Sequence, residues 1–131
     1  MVPCSDTRKL NTYNEPCEFY CLIGSEFDGH KFAQKALKLG AEKIYCEHSL
    51  GLENEVIVPD TRLAFASAWA KYYGNPEKQM KLIGITGTNG KTTTCFMVND
   101  ALRRAGKKTA LIGTIHNDID GEILPSVHTM P

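Results

Sequence analysis

The sequence predicts an α/β protein, and three observations carry that reading. Apolar runs of strand length alternate with stretches whose apolar residues recur at helical spacing. Between one such run and the next helical stretch lies IGITGTNGKTTT, residues 83–94, a glycine-rich turn of the kind that leads from a strand into a helix. The chain has 131 residues, 42% hydrophobic and 23% charged, enough for one average domain or two small ones with a real core.

Residues 17–23 (CEFYCLI) form a short β-favouring run closed by Gly24 and followed by the polar turn SEFDGH. Phe32, Ala33, Ala36, Leu37 and Leu39 then repeat at helical spacing as far as Gly40, which can take the left-handed conformation that ends a helix. A helix over residues 30–39 follows. Residues 43–47 (KIYCE) and 55–58 (EVIV) are two further strands, separated by a loop carrying Ser49, Gly51 and Asn54. Pro59-Asp60-Thr61 opens a second helix, with Asp60 or Thr61 as its cap and Gly74 at its end. Leu63, Ala64, Phe65, Ala66, Ala68, Trp69, Ala70, Tyr72 and Tyr73 make this helix apolar nearly all round, which predicts burial between two layers. Polar residues 75–79 then mark a connection, dividing the chain into domains 1–75 and 76–131. Beyond it, a strand over 81–86, a helix over 91–105 and a strand over 108–113 read as the βαβ unit of a parallel sheet. Residues 115–124 form a hairpin turning at Asp120-Gly121.

Fifteen basic residues balance fifteen acidic ones, so no overall positive field recruits nucleic acid or an anionic membrane surface. No apolar run approaches the length needed for membrane insertion, and MVPCSDTRKL lacks the apolar middle of a secretory signal. The five cysteines (Cys4, Cys17, Cys21, Cys46, Cys95) are odd in number and scattered, which predicts buried thiols in a reducing, cytoplasmic compartment. Cys17 and Cys21, with His30 and His48 nearby, lack a paired C-x2-C zinc signature. Phe65, Trp69 and Tyr72 read as helix packing, because no basic patch accompanies them.

The chemistry concentrates in residues 84–94. Gly87 and Gly90 allow positive φ and close backbone approach, so that successive N–H groups face phosphate oxygens at a helix N-terminus. A helix end alone supplies only about 0.3–1 kcal/mol to an exposed anion, so charge-assisted bonds from Lys91 must carry most of the affinity. Lys91 is the candidate for the β- and γ-phosphates and for the phosphoryl-transfer step, and the Thr92 hydroxyl for Mg2+. The general form G-x-x-x-x-G-K-[ST] would need glycine where Ile85 stands; this chain has G-x-x-G-x-x-G-K-T.

TGTNGKTTT, residues 86–94, resembles the ATP loop of the Mur ligase family, which extends the peptide of a cell-wall precursor by ATP-driven amide formation. Folylpolyglutamate synthetases share the general form of that loop. Ser5-Asp6-Thr7-Arg8-Lys9, FYCLIG and Asp28-Gly29-His30-Lys31-Phe32 resemble the D-S-R-K, F-V-A-L-x-G and D-G-H-x-F series of the members that add the third and the terminal amino acids. Val58-Pro59-Asp60-Thr61-Arg62, Tyr73-Gly74-Asn75-Pro76, Asn89 and Leu111-Ile112-Gly113-Thr114-Ile115 are similar to the branch adding the third.

The resemblance implies a small N-terminal α/β uridine-binding domain followed by the first βαβ unit of a P-loop central domain, both incomplete within these residues. It implies that Gly87, Thr88, Asn89, Gly90, Lys91, Thr92 and Thr93 hold the ATP phosphates, and that Thr7, Ser25, Glu26, Phe27 and Thr129 contact the UDP-sugar. Thr7 keeps the hydroxyl of the usual serine; Met130 replaces the second threonine of the T-T-P segment that Thr129 would open. The implied substrates are UDP-N-acetylmuramoyl-L-alanyl-D-glutamate and an amino acid, meso-diaminopimelate or lysine, joined through an acyl phosphate. The chain alone is expected to be inactive, since the other catalytic groups of the family fall outside it. A half-built central sheet would also leave an edge able to pair with a second copy. A short nucleotide-binding module without the chemistry, or part of a related ligase, is the alternative reading.

Overall fold

The computed structural model describes residues 1–126, which divide into two compact units, Met1–Lys81 and the described residues from Leu82 onward. Thr129 lies outside the described residues.

In the first unit, β1 (Val2–Cys4), β2 (Cys17–Tyr20), β3 (Ala41–Cys46) and β4 (Glu55–Ile57) make a parallel sheet in the order β1-β2-β3-β4. Register is set by pairs such as Cys4 with Phe19, Phe19 with Ile44 and Tyr45 with Val56. Side chains alternate across β2. Phe19 joins Ile44, Cys46, Ala33 and Ala36 in the core, all at most 2% exposed. Tyr20 lies on the opposite face, where it stacks on Tyr45 with ring centroids 4.3 Å apart and meets Phe65 at 5.3 Å. Burial, reinforced by the neighbouring Glu18 carboxylate, pushes the Tyr20 phenol well above its ordinary pKa, and its hydroxyl donates to Glu18.

The helix expected over 30–39 is α1, Ala33–Lys38, preceded by a 3-10 turn, Gly29–Phe32. The Asp28 carboxylate starts that turn by accepting from the His30 N–H at 3.0 Å, and Gly40 takes φ 94° at the far end. Small side chains at Ala33 and Ala36 let α1 lie close on the sheet. Strand β1 escaped the sequence reading: three residues containing Pro3 offer no period, and a proline is admissible on an edge strand.

The second helix, α2, spans Thr61–Tyr72, with Asp60 accepting from the Leu63 N–H at 2.9 Å and Gly74 left-handed at φ 77°. Burial between two layers is not what the structure shows. Thr61 is its buried residue, whereas Leu63 is 66% and Tyr72 40% exposed. Phe65 reaches Tyr20 and Trp69 packs on the core, leaving the other side of α2 to solvent. Ala64, Ala66, Ala68 and Ala70 explain the misreading, because alanine serves helix propensity and does not demand burial.

In the second unit, α3 (Lys91–Arg104) precedes β5 (Ala110–Ile112), β6 (His116–Ile119) and β7 (Glu122–Pro125), which form an antiparallel sheet in chain order. Asp120 at φ 51° and Gly121 at φ 102° make the tight turn expected between β6 and β7. Residues 81–86 belong to no ladder among the described residues, and Leu82 and Ile83 are 73% and 62% exposed. The parallel pairing expected across α3 is therefore absent among the described residues. Strand β5 instead pairs with its sequence neighbour β6, a local contact that closes a much shorter loop.

An ion pair fastens α3 to this sheet. Arg103 donates to both Asp118 oxygens at 2.8 and 2.7 Å and to the Thr109 hydroxyl at 3.1 Å, with Asn99 alongside. Burial pushes the Asp118 carboxyl up, but the Arg103 guanidinium and the Gly121 N–H outweigh it and hold the group below its ordinary value. Arg103 is thus a structural residue.

Four thiols, Cys4, Cys17, Cys21 and Cys46, are buried and free, and Cys95 is half-buried. Burial raises Cys21 to about 12, which keeps it protonated and unreactive.

Candidate functional sites

In a parallel sheet the strands deliver their following loops to one edge, where ligands are bound. The first unit has a cleft of about 440 Å³ at that edge. Ser5, Asp6, Thr7 and Arg8, which follow β1, form one wall. Phe27, from the loop after β2, and Phe32 and Lys35, from the turn and helix beyond it, form the other, with Phe19 between them. Thr7 and Phe27, twenty residues apart and both expected at a UDP-sugar site, thus come to one cavity. Ser25 and Glu26 do not line it; they lie at the exposed tip of the same loop.

That loop is tightly built. Ile23 bridges Asp28, the Gly24 N–H donates to the Phe27 carbonyl at 2.6 Å, and the Phe27 ring stacks on Phe32 at 5.3 Å. At Gly29 any side chain is excluded, because a Cβ there would sit 2.7 Å from the Leu22 nitrogen and 2.8 Å from its carbonyl oxygen. Beneath the loop runs a polar chain. Asp28 accepts from His30 Nδ1 at 2.7 Å, and His30 Nε2 accepts from the Glu47 N–H at 3.0 Å. These partners place the imidazole proton on Nδ1. The Glu47 carboxylate in turn accepts from Thr61 N–H at 2.9 Å, and Thr61 Oγ1 lies 2.9 Å from that same oxygen and 3.1 Å from the Cys21 carbonyl.

Across the cleft, Asp6 accepts from the Arg8 backbone N–H, Nε and Nη2, the last at 2.7 Å. Those hydrogen bonds hold its carboxyl at about 2. Asp6, Arg8, Phe32 and Lys35 were not singled out as site residues from the sequence. For the first two the D-S-R-like segment was the available signal; for Phe32 and Lys35 only the phase of α1 against the loop reveals it.

In the second unit, Gly87 at φ 149° and Gly90 at φ 76° carry the chain into α3. Gly90 is the cap residue and contributes no side chain to the free N–H groups of the first turn, which also holds no acidic residue. Lys91 Nζ donates to the Gly87 carbonyl at 2.6 Å, folded over its own loop. Thr88, Asn89 and Thr93 are exposed and Thr92 half-buried. A loop with two glycines, a lysine over its centre and an uncapped helix end has the donor set for a polyphosphate and nothing negative to repel it.

The model of the Mur ligase middle domain matches residues 85–131, and the chain is similar to members of the Mur ligase family. Within that family it is similar to ligases that join 2,6-diaminopimelate to UDP-N-acetylmuramoyl-L-alanyl-D-glutamate. The one from Geobacillus thermodenitrificans is 44% identical over 114 residues, covering 86% of this chain and 23% of that protein. The one from Clostridium botulinum is 45% identical over 132 aligned positions, covering 96% of this chain and 27% of that protein. A solved structure of such a ligase superimposes with a TM-score of 0.69 at 27% identity, covering 94% of this chain and 25% of that one. The MurF ligase of Thermotoga maritima, in complex with ADP, gives 0.55 at 25% identity over 82% of this chain and 24% of that one. The chain thus spans about a quarter of the length of these relatives.

Proposed function

We propose that these residues are the UDP-sugar-binding and ATP-loop part of a ligase that adds the third amino acid, diaminopimelate by likeness to its relatives, to UDP-N-acetylmuramoyl-L-alanyl-D-glutamate in the cytoplasm. The observation carrying this reading is the cleft at the carboxyl edge of the parallel sheet, where Thr7 and Phe27 meet. Phe27 and Phe32 offer an aromatic wall for a base, Thr7 a hydroxyl, and Arg8 and Lys35 positive charge for a diphosphate. Ser25, Glu26 and Thr129 complete the proposed substrate contacts. Residues 1–75 are the UDP-sugar domain and 76–131 the start of the ATP domain in this reading.

The donor set fits ATP and Mg2+, since α3 begins with unpaired N–H groups and carries Lys91 and Thr92 on its first turn. Gly87, Thr88, Asn89, Gly90 and Thr93 would wrap the phosphates, Lys91 would exchange the Gly87 carbonyl for a phosphate oxygen, and Thr92 would ligate the metal. When bound, ATP supplies the phosphoryl group that activates the substrate carboxylate as an acyl phosphate, which the incoming amine attacks. The chain's own contribution is positioning and charge neutralisation, and amide formation by these residues alone is not expected.

Calorimetric titration with UDP-N-acetylmuramoyl-L-alanyl-D-glutamate and, separately, with MgATP tests the reading. Saturable binding of each is expected; no heat from either ligand would sink it.

A further inference from the structure

We infer that Arg62 is a positioning residue for the proposed nucleotide-sugar cleft, holding the loop of residues 23–28 by its Ile23 side so that Phe27 faces the ligand. The inference rests on the reading of that cleft given above.

The two flanks of the loop are anchored by different means. On one side Asp28 accepts from the His30 backbone and Nδ1, and the Gly29 N–H donates to the Leu22 carbonyl at 2.8 Å. On the other, the Ile23 side chain is 42% exposed and contributes little anchorage. Its carbonyl is instead gripped by Arg62, through Nε at 3.2 Å and through Nη2. Arg62 makes no ion pair among the described residues, so its guanidinium is committed to this one acceptor. The preceding residue, Thr61, lies 3.1 Å from the Cys21 carbonyl. The first turn of α2 therefore splints the segment leaving β2 at two points, one buried and one exposed. Removing the exposed point leaves the Ile23 flank to its bridge with Asp28 and the Phe27 ring to its stack on Phe32, and both loosen without the core opening. The ligand must then order the loop itself, and affinity falls.

The test uses the full chain with UDP as probe, followed by calorimetry, and Trp69 fluorescence in a denaturant titration as the measure of folding. Arg62→Ala is expected to weaken UDP binding about fivefold, to shift the amide resonances of Gly24 and Phe27, and to leave the unfolding midpoint and MgATP affinity unchanged. Arg62→Lys should recover part of the affinity, because one ammonium can still donate to the Ile23 carbonyl. If Arg62→Ala fails to fold, Arg62→Met, which keeps the stem and removes the donors, takes its place with the same expectation. Wild-type UDP affinity in a folded donor-free variant, alongside clear loss in Phe27→Ala, would overturn the inference and leave the cleft reading intact. No UDP binding by the wild-type chain itself would overturn the cleft reading.

Discussion

Phe19, Ala36 and Ile44 in the first unit are 1%, 0% and 0% exposed, whereas in the second unit Leu111, at 7%, is the single buried hydrophobic side chain among the described residues. One cleft sits at the edge of a four-stranded sheet over a closed apolar core; the other site hangs on a helix tied to its sheet by Arg103 and Asp118. Apolar burial scales with enclosed area and is insensitive to the direction of approach, so it fixes a scaffold before any ligand arrives. A bidentate ion pair fixes one point and one direction. In the function proposed above, the cleft would be formed before its ligand arrives, while the glycine loop, exposed from Thr88 to Lys91, would be ordered by the phosphates it takes.

The sharpest way to break this contrast is in the cores. Ile44→Ala should cost roughly 2–5 kcal/mol in the first unit, read as a lower denaturant midpoint of Trp69 fluorescence. Leu111→Ala should leave that signal where it is, while hydrogen exchange in β5 and β6 quickens. Equal sensitivity of Trp69 to both changes would show one cooperative body.

The next largest effect concerns ligand alone. Lys91 is exposed and, among the described residues, bonded only to carbonyls of its own loop, so Lys91→Ala should leave both units folded while MgATP affinity drops roughly 10- to 100-fold. UDP binding, measured in the same sample, should not move.

Thr61→Val probes the polar chain under the first unit's loop. The hydroxyl is fully buried between Cys21 and Glu47, so its loss should cost about 1 kcal/mol, again read by Trp69. A neutral outcome would mean that the Thr61 N–H to Glu47 suffices.

The smallest effect is acid sensitivity, which both units should share. Hydrogen bonds from His30 hold Asp28 below its ordinary 3.8, those from Thr61 hold Glu47 below its ordinary 4.5, and Arg103 holds Asp118 down against burial. Carboxyls depressed in the folded state stabilise it above the unfolded values and cease to do so as pH falls through the folded ones. Stability should thus be level above about pH 5 and decline towards pH 3 in both units. A loss on the alkaline side instead would contradict these assignments.

Much of this was legible in advance where a residue's own chemistry sets the conformation. Gly40, Gly74, Gly90 and Asp120-Gly121 sit where left-handed backbone is needed, and Asp60 caps α2 as its side chain allows. What was not legible depends on neighbours. Residues 81–86 have the apolar character of a strand, but a ladder needs a partner, and among the described residues none pairs with them, although β5 keeps one edge free. The all-apolar look of α2 came from alanines that fit a half-exposed helix. Thr7 and Phe27 were anticipated at a common site, whereas Phe32 and Lys35 reach it only through the phase of α1, which no local pattern encodes.

The distribution of thiols gives the chain a built-in clock. Cys4, Cys17, Cys21 and Cys46 are sealed in the first unit, and Cys95, on α3, is half-buried. An alkylating reagent should therefore modify Cys95 first and the other four only at the rate at which the parallel sheet opens. Mass spectrometry of a timed reaction would then separate the lifetime of one unit from that of the other in a single unmodified sample, with no mutation and no ligand.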